Sequence, residues 1–157
     1  MGGFGANLKN QSIGFASRNG KAYIHSCGQT EDPDECFSCD YEQIEFIESM
    51  AEAATAVADY LKKQGKPIIY ITVMNALSRS CDCESHQDDP VMDDIGIVGS
   101  LDPVANDQAF IDMVWSSNEK GARKLQERID SRLGREILPY AESLGLGKTK
   151  YTLESLD

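Results

Sequence analysis

The chain has 157 residues, 41% hydrophobic and 26% charged, and its 15 Lys and Arg against 26 Asp and Glu leave a formal net charge of −11. That length fits one compact domain that buries enough surface for a core of its own. The ordinary apolar content excludes disorder as the main state, and the acidic balance disfavours nucleic acid or an anionic membrane surface as partner.

No apolar run approaches the ~18 residues of a transmembrane helix, and the N-terminal string MGGFGANLKNQ lacks the apolar core of a signal peptide. A cytoplasmic location is therefore expected. Residues 2–20 carry five glycines among Asn and Ser, and they predict a Gly-rich loop over 1–20, facing a ligand or loosely held. It is neither a phosphate-binding loop of the G-x-x-x-x-G-K-[ST] type nor a dinucleotide fingerprint. Residues 21–26 (KAYIHS) alternate and predict a short strand. Residues 27–40 are polar, acidic and Cys-bearing, and predict a loop.

From 41 to 64 the pattern turns helical, with Ile44, Ile47, Met50, Ala51, Ala54, Val57, Ala58 and Leu61 at three- and four-residue steps. Gly65 and Pro67 supply the stop. Residues 68–74 (IIYITVM) form a β-branched apolar run, which predicts a strand buried on both faces. A second Cys-bearing loop follows over 75–93, then a second buried strand over 95–99 (IGIVG). Asp102 is placed to cap a helix whose first residue is Pro103. That helix is expected to reach Trp115, with Val104, Phe110, Ile111 and Val114 inward. Two further helices are expected over 119–131 and 135–144, ended by Gly145 and Gly147, with a last short strand over 151–153. The whole predicts a single α/β domain over 1–157, built on a small, mostly parallel sheet flanked by helices.

The five cysteines are Cys27, Cys36, Cys39, Cys81 and Cys83, an odd number that cannot pair completely within the chain. A disulfide across the C-x-C step of Cys81 and Cys83 would be strained. Free or metal-bound thiols in a reducing compartment fit better. Thiolates are soft ligands suited to zinc or iron, and imidazole can complete such a site. Cys36 and Cys39 form a C-x-x-C that can join Cys81 and Cys83 in a four-thiolate site, act as a redox dithiol, or stand as unligated surface thiols. His25 and His86 each lie within a few residues of a cysteine. The run Asp88, Asp89, Asp93 and Asp94 reads as a solvated acidic loop more readily than as a hard-cation site, because no EF-hand spacing is present. Asp107 and Gln108 fall one turn into the central helix, where they either face a ligand edge of the sheet or belong to ordinary helix surface.

Four strings occur in order: G-F-G-A-N-L-K-N near the start, C-D-C in the middle, D-I-G-I-V-G-S-L-D-P-V-A-N-D-Q-A, and Y-A-E-S-L-G-L-G-K near the end. From Gly3 to about Leu153 the chain resembles the C-terminal part of the uncharacterised iron–sulfur-centre proteins, domain of unknown function family 362. The resemblance implies a bacterial or archaeal cytosolic protein of unknown reaction. The matching positions are Gly3 to Asn10 together with His25, Cys81, Asp82, Cys83, Asp94, Ser100, Asp102, Asp107 and Gln108.

Many members of that family carry C-x-x-C-x-x-C-x-x-x-C-P runs for two four-iron clusters. This sequence has no such run, so conventional four-iron clusters are not expected. The larger N-terminal portion usual in the family is also missing, which makes the chain a short member, a broken gene or a fragment. A separate N-terminal domain or a homo-oligomer is the partner so implied.

The sharp expectation is a zinc or iron site on His25, Cys81 and Cys83. Three function classes follow: a metal-binding module, redox-related in one version; a metal-dependent enzyme on a small molecule, with Asp94 and Asp107 as acid–base candidates; and a non-catalytic interaction subunit. An exposed apolar face would favour the third.

Overall fold

The computed structural model describes residues 6–35, 38–80, 86 and 88–156. The chain opens with a short helix α1 (Asn7–Lys9) that widens into a π-helical turn, Asn10–Gly14, and then enters α2 (Arg18–His25). The expected loop over the first twenty residues is thus helical in much of its described part, and the strand expected over 21–26 is a helix. The Ser17 side chain accepts from Gly20 N and starts α2, satisfying one of the N–H groups a helix start leaves open. Ala22 and Ile24, read as one face of a strand, are both buried on this helix. Ser49 Oγ donates to the Ile24 carbonyl at 3.1 Å and ties α2 to the long helix that follows.

Helix α3 spans Gln43–Lys63. A reciprocal capping box holds its start, with Glu42 N donating to Glu45 Oε2 at 2.8 Å. Lys62 and Lys63 sit at its negative end, where cations are favoured. Gly65, at φ +68°, closes it while Lys66 N donates to the Leu61 carbonyl. Phe46, Ile47, Met50, Ala51 and Ala54 are buried, so the expected stripe holds in the first half of the helix. Val57, Ala58 and Leu61 are only partly covered.

Strands β1 (Tyr70–Met74) and β2 (Gly96–Ser100) pair antiparallel, from Tyr70 opposite Ser100 to Met74 opposite Gly96. The mostly parallel sheet of the sequence reading is therefore corrected. Among the described residues the sheet is a two-stranded antiparallel hairpin, and the Cys-bearing loop is its connection. Parallel pairing needs a crossover element between the strands. Here the chain folds straight back, with Ile95 N donating to the Met74 carbonyl and Val91 N to the Leu77 carbonyl.

Helix α4 (Pro103–Ser116) packs across one face of both strands. Its cap is the expected one: Asp102 Oδ1 accepts from Val104 N at 2.8 Å and Ala105 N at 3.0 Å, with Pro103 in the first turn. The other carboxylate oxygen accepts from Lys148 N and fastens the C-terminal segment to the same corner. Helix α5 (Lys120–Asp130) follows, then a 3-10 turn (Gly134–Glu136) and α6 (Ile137–Ser143). Residues 151–153 carry no strand. Tyr151 instead reaches α4, where its hydroxyl donates to Asp112 Oδ2 at 2.7 Å. One contiguous core joins Phe46, Ile47 and Met50 of α3 to Met74, Val98, Val104, Val114, Ile129 and Leu138.

Candidate functional site

Beneath the hairpin, four polar side chains join elements far apart in sequence. Asp107 Oδ1 accepts from Asn7 N at 2.9 Å and from Asn7 Nδ2 at 2.8 Å, and Oδ2 accepts from Leu8 N at 2.9 Å. Asn106 Oδ1 accepts from Asn7 Nδ2 and from Thr72 Oγ1, while its Nδ2 donates to the Tyr70 and Val98 carbonyls. Both residues are buried. Burial pushes the Asp107 carboxyl up to about 6, against the pull of its N–H donors, which favour the ionised form. The arrangement holds the N-terminal turn against α4 and both strands. Among the described residues, the hydrogen bonds of the Asp107 carboxylate come from the Asn7 and Leu8 backbone and the Asn7 amide.

Asp94, the other acid–base candidate, is exposed at the base of the hairpin connection. Its Oδ1 accepts from Ala76 N at 2.8 Å and steadies Ala76 in the left-handed region at φ +48°, which is costly for a residue with a Cβ. Among the described residues no hydrogen bond links Asp94 to Asp107. Gln108 donates to Asp112 on the exposed side of α4.

His25 is the last residue of α2. Its ring stacks on Phe46 with centroids 5.2 Å apart, and Nδ1 lies 2.7 Å from the Lys21 carbonyl. Burial lowers its pKa below the ordinary value, although the Lys21 carbonyl favours the charged ring. A neutral ring with Nδ1 against a carbonyl carries its proton on Nδ1. Its expected co-ligands Cys81 and Cys83, and also Cys36 and Asp82, lie outside the described residues. Among the described residues no group of three or more His, Cys, Asp or Glu is placed to hold a metal ion. Cys27 and Cys39 are free thiols, and burial, then the Glu45 carboxylate, push the Cys27 thiol up. A raised thiol is a poor nucleophile at neutral pH.

An open cleft of about 470 Å³ lies between the hairpin connection and α5, with His86, Arg79, Lys124 and Arg128 on its walls. Arg79 pairs there with Asp88 at 3.3 Å, and Glu127 lines the same α5 wall as Lys124 and Arg128.

Outside these polar sites lies the second face of the hairpin. Strand periodicity sends Tyr70 and Met74 inward together with Val98, and turns Ile71, Val73 and Ile97 outward. Ile71 is 62% exposed, Val73 55% and Ile97 70%, and flanking Ile69 and Leu101 are 69% and 76% exposed. The register sets Val73 opposite Ile97 and Ile71 opposite Gly99. Carried one residue further, it sets Ile69 opposite Leu101. The expectation that both strands are buried on both faces is thus corrected, since α4 covers one face and these side chains line the other. Composition could not separate the two cases, because a β-branched run suits either.

A small α/β domain with one bare sheet face and a buried Asn–Asp anchor is what fold and site define. The family described as Domain of unknown function (DUF362) matches residues 1–112, which takes in the N-terminal turn, the hairpin and the start of α4, and the chain belongs to that family. No curated protein and no solved structure matches the chain. No helix among the described residues is long and apolar enough to cross a membrane.

Proposed function

We propose that this DUF362 chain is a binding module, which works by docking the bare face of its β1–β2 hairpin onto another protein surface. One observation carries the reading: five large aliphatic side chains, Ile69, Ile71, Val73, Ile97 and Leu101, are each more than half exposed on one sheet face. Single exposed aliphatics are ordinary, but a contiguous patch marks an interaction surface. The buried Asn106–Asp107 anchor supports the reading from below. It fixes both strands to α4, so the face is presented on a rigid base. The test is the hydrodynamic size of the chain in a native extract. The wild type should run as a particle larger than one 17.3 kDa chain, and the double variant Ile71→Thr, Ile97→Thr should run at the size of the single chain. Thr keeps strand preference while removing apolar area. Equal sizes for the two would overturn the reading.

A second reading keeps the metal centre on His25, Cys81 and Cys83, with zinc or iron as the ion. The observation that favours it is the His25 ring, held neutral with Nδ1 on the Lys21 carbonyl, as metal-binding histidines are commonly oriented. Bound there, the ion would bring Lewis-acid or structural chemistry. Metal content after anaerobic purification tests it. About one ion per chain, lost in Cys81→Ser, Cys83→Ser and in His25→Ala, is expected. Full retention in the double variant ends this reading.

A further inference from the structure

We infer that the surface seated on the bare hairpin face is the same face of a second copy of this chain. This rests on the binding-module reading and names its partner.

The strands set two rows on this face, Ile71 with Gly99 and Val73 with Ile97, and the same register carried one residue beyond them places Ile69 beside Leu101. None of the six residues is charged, so charge on the face selects no partner. Relief does. The middle row pairs a long side chain with none, leaving a knob at Ile71 beside a gap at Gly99. A two-fold axis running parallel to the strands and between them exchanges the two positions. Ile71 of each copy then lies over Gly99 of the other, while Val73 lies over Ile97 and Ile69 over Leu101. Two sheets packed this way interdigitate at about 10 Å separation. An isologous interface requires such self-complementarity of one patch.

Gly99 is the sharpest clue. Its backbone is not in the left-handed region. Among the described residues a Cβ built there would meet only the Tyr70 carbonyl oxygen, at an ordinary 3.9 Å. Neither strain nor crowding among the described residues asks for glycine at this place, and a strand interior disfavours it. A neighbour's Ile71 filling the gap gives the glycine a physical reason.

The area is also of the right order. With ~180 Å² for a fully exposed Ile or Leu and ~150 Å² for Val, the five side chains present on the order of 550 Å² per chain. Complete cover of these residues in two copies would bury about 1,100 Å², which sets a ceiling for them close to the ~1,000 Å² expected of a specific interface. Each copy carries a net charge of −11, so electrostatics opposes the pairing, and salt should strengthen it by screening.

The test is sedimentation equilibrium of the whole chain from about 1 to 100 µM, at about 50 and 500 mM salt. A monomer–dimer equilibrium that tightens with salt is expected. Gly99→Val should weaken it by about tenfold or more while leaving circular dichroism and the thermal midpoint unchanged or raised. Should Gly99→Val misfold, Ile97→Thr gives the same loss of dimer from an exposed position. A chain that stays monomeric at both salts overturns the second copy, as does a folded Gly99→Val that pairs as tightly as wild type. In either case a larger native-extract particle, lost in the Thr double variant, leaves the binding-module reading standing with another partner. Single-chain size in the extract as well ends both.

Discussion

Replacing Asp107 by Asn removes a buried charge at nearly constant size, and its effect on stability should depend on pH in a definite direction. Burial lifts the Asp107 carboxyl from its ordinary 3.8 to about 6, so the folded protein holds that proton more tightly than the unfolded chain. The gap corresponds to about 3 kcal/mol in favour of the protonated form in the fold. This contribution is fully present below about pH 3.8 and is lost as the pH rises through about 6. Between about pH 7.5 and about pH 5 the wild type should gain on the order of 1 kcal/mol from this group alone.

His25 works in the opposite sense, because its pKa is lowered by burial and its neutral form is the stable one. Its contribution is lost as the pH falls through and below 6.5. That effect is common to both proteins and cancels in their difference. Urea unfolding of wild type and Asp107→Asn at about pH 5, 6 and 7.5 gives the difference directly. The wild-type advantage should widen by on the order of 1 kcal/mol toward acid. At about pH 7.5 the variant should also be less stable, because Asn offers one acceptor oxygen where the carboxylate offers two. Either Leu8 N or the Asn7 donors then lose their partner, at about 1–3 kcal/mol. A difference that does not change with pH would refute the reasoning.

Asn106→Ala should cost about 3–5 kcal/mol in chemical denaturation, since it removes the acceptor of the Thr72 hydroxyl and one donor to each of the Tyr70 and Val98 carbonyls at once. A loss under about 1 kcal/mol would mean water replaces the amide freely. Gly121→Ala should lower the thermal midpoint steeply or prevent folding, because a Cβ there would overlap the Val91 carbonyl. An unchanged midpoint would show that the contact between α5 and the hairpin connection is loose.

Local signals in the sequence carry the structure where local chemistry decides the outcome. The Asp102–Pro103 start of α4 needs only a cap and a proline, and the structure has both. The three- and four-residue steps of Ile47, Met50, Ala51 and Ala54 gave α3 its inner stripe, although Phe46 was missed. Residues 21–26 failed because Ala22 and Ile24, two apart, fit a strand face as well as a helix lying between neighbours. Strand direction is not legible in sequence, because an apolar run that looks buried on both faces suggests a parallel sheet, whereas the pairing from Tyr70 with Ser100 to Met74 with Gly96 runs antiparallel.

Among site residues, Asp107 stood out as an acid one turn into a helix. Its contact with Asn7 and Leu8 spans about a hundred positions, and no spacing rule reaches that far. Asn7, Thr72 and Asn106 were missed as site residues for the same reason. The bare face was hidden in plain composition, because exposure of Ile71, Val73 and Ile97 depends on which side α4 occupies.

The most direct test of the central claim is side-chain labelling by short-lived radicals, read residue by residue by mass spectrometry. It would be applied to the native assembly and to the isolated chain diluted to a monomer. Ile69, Ile71, Val73, Ile97 and Leu101 should be labelled strongly in the diluted chain and protected in the assembly, with Tyr60, exposed on α3, labelled in both as the control. Equal labelling of the five side chains in both states would contradict the account.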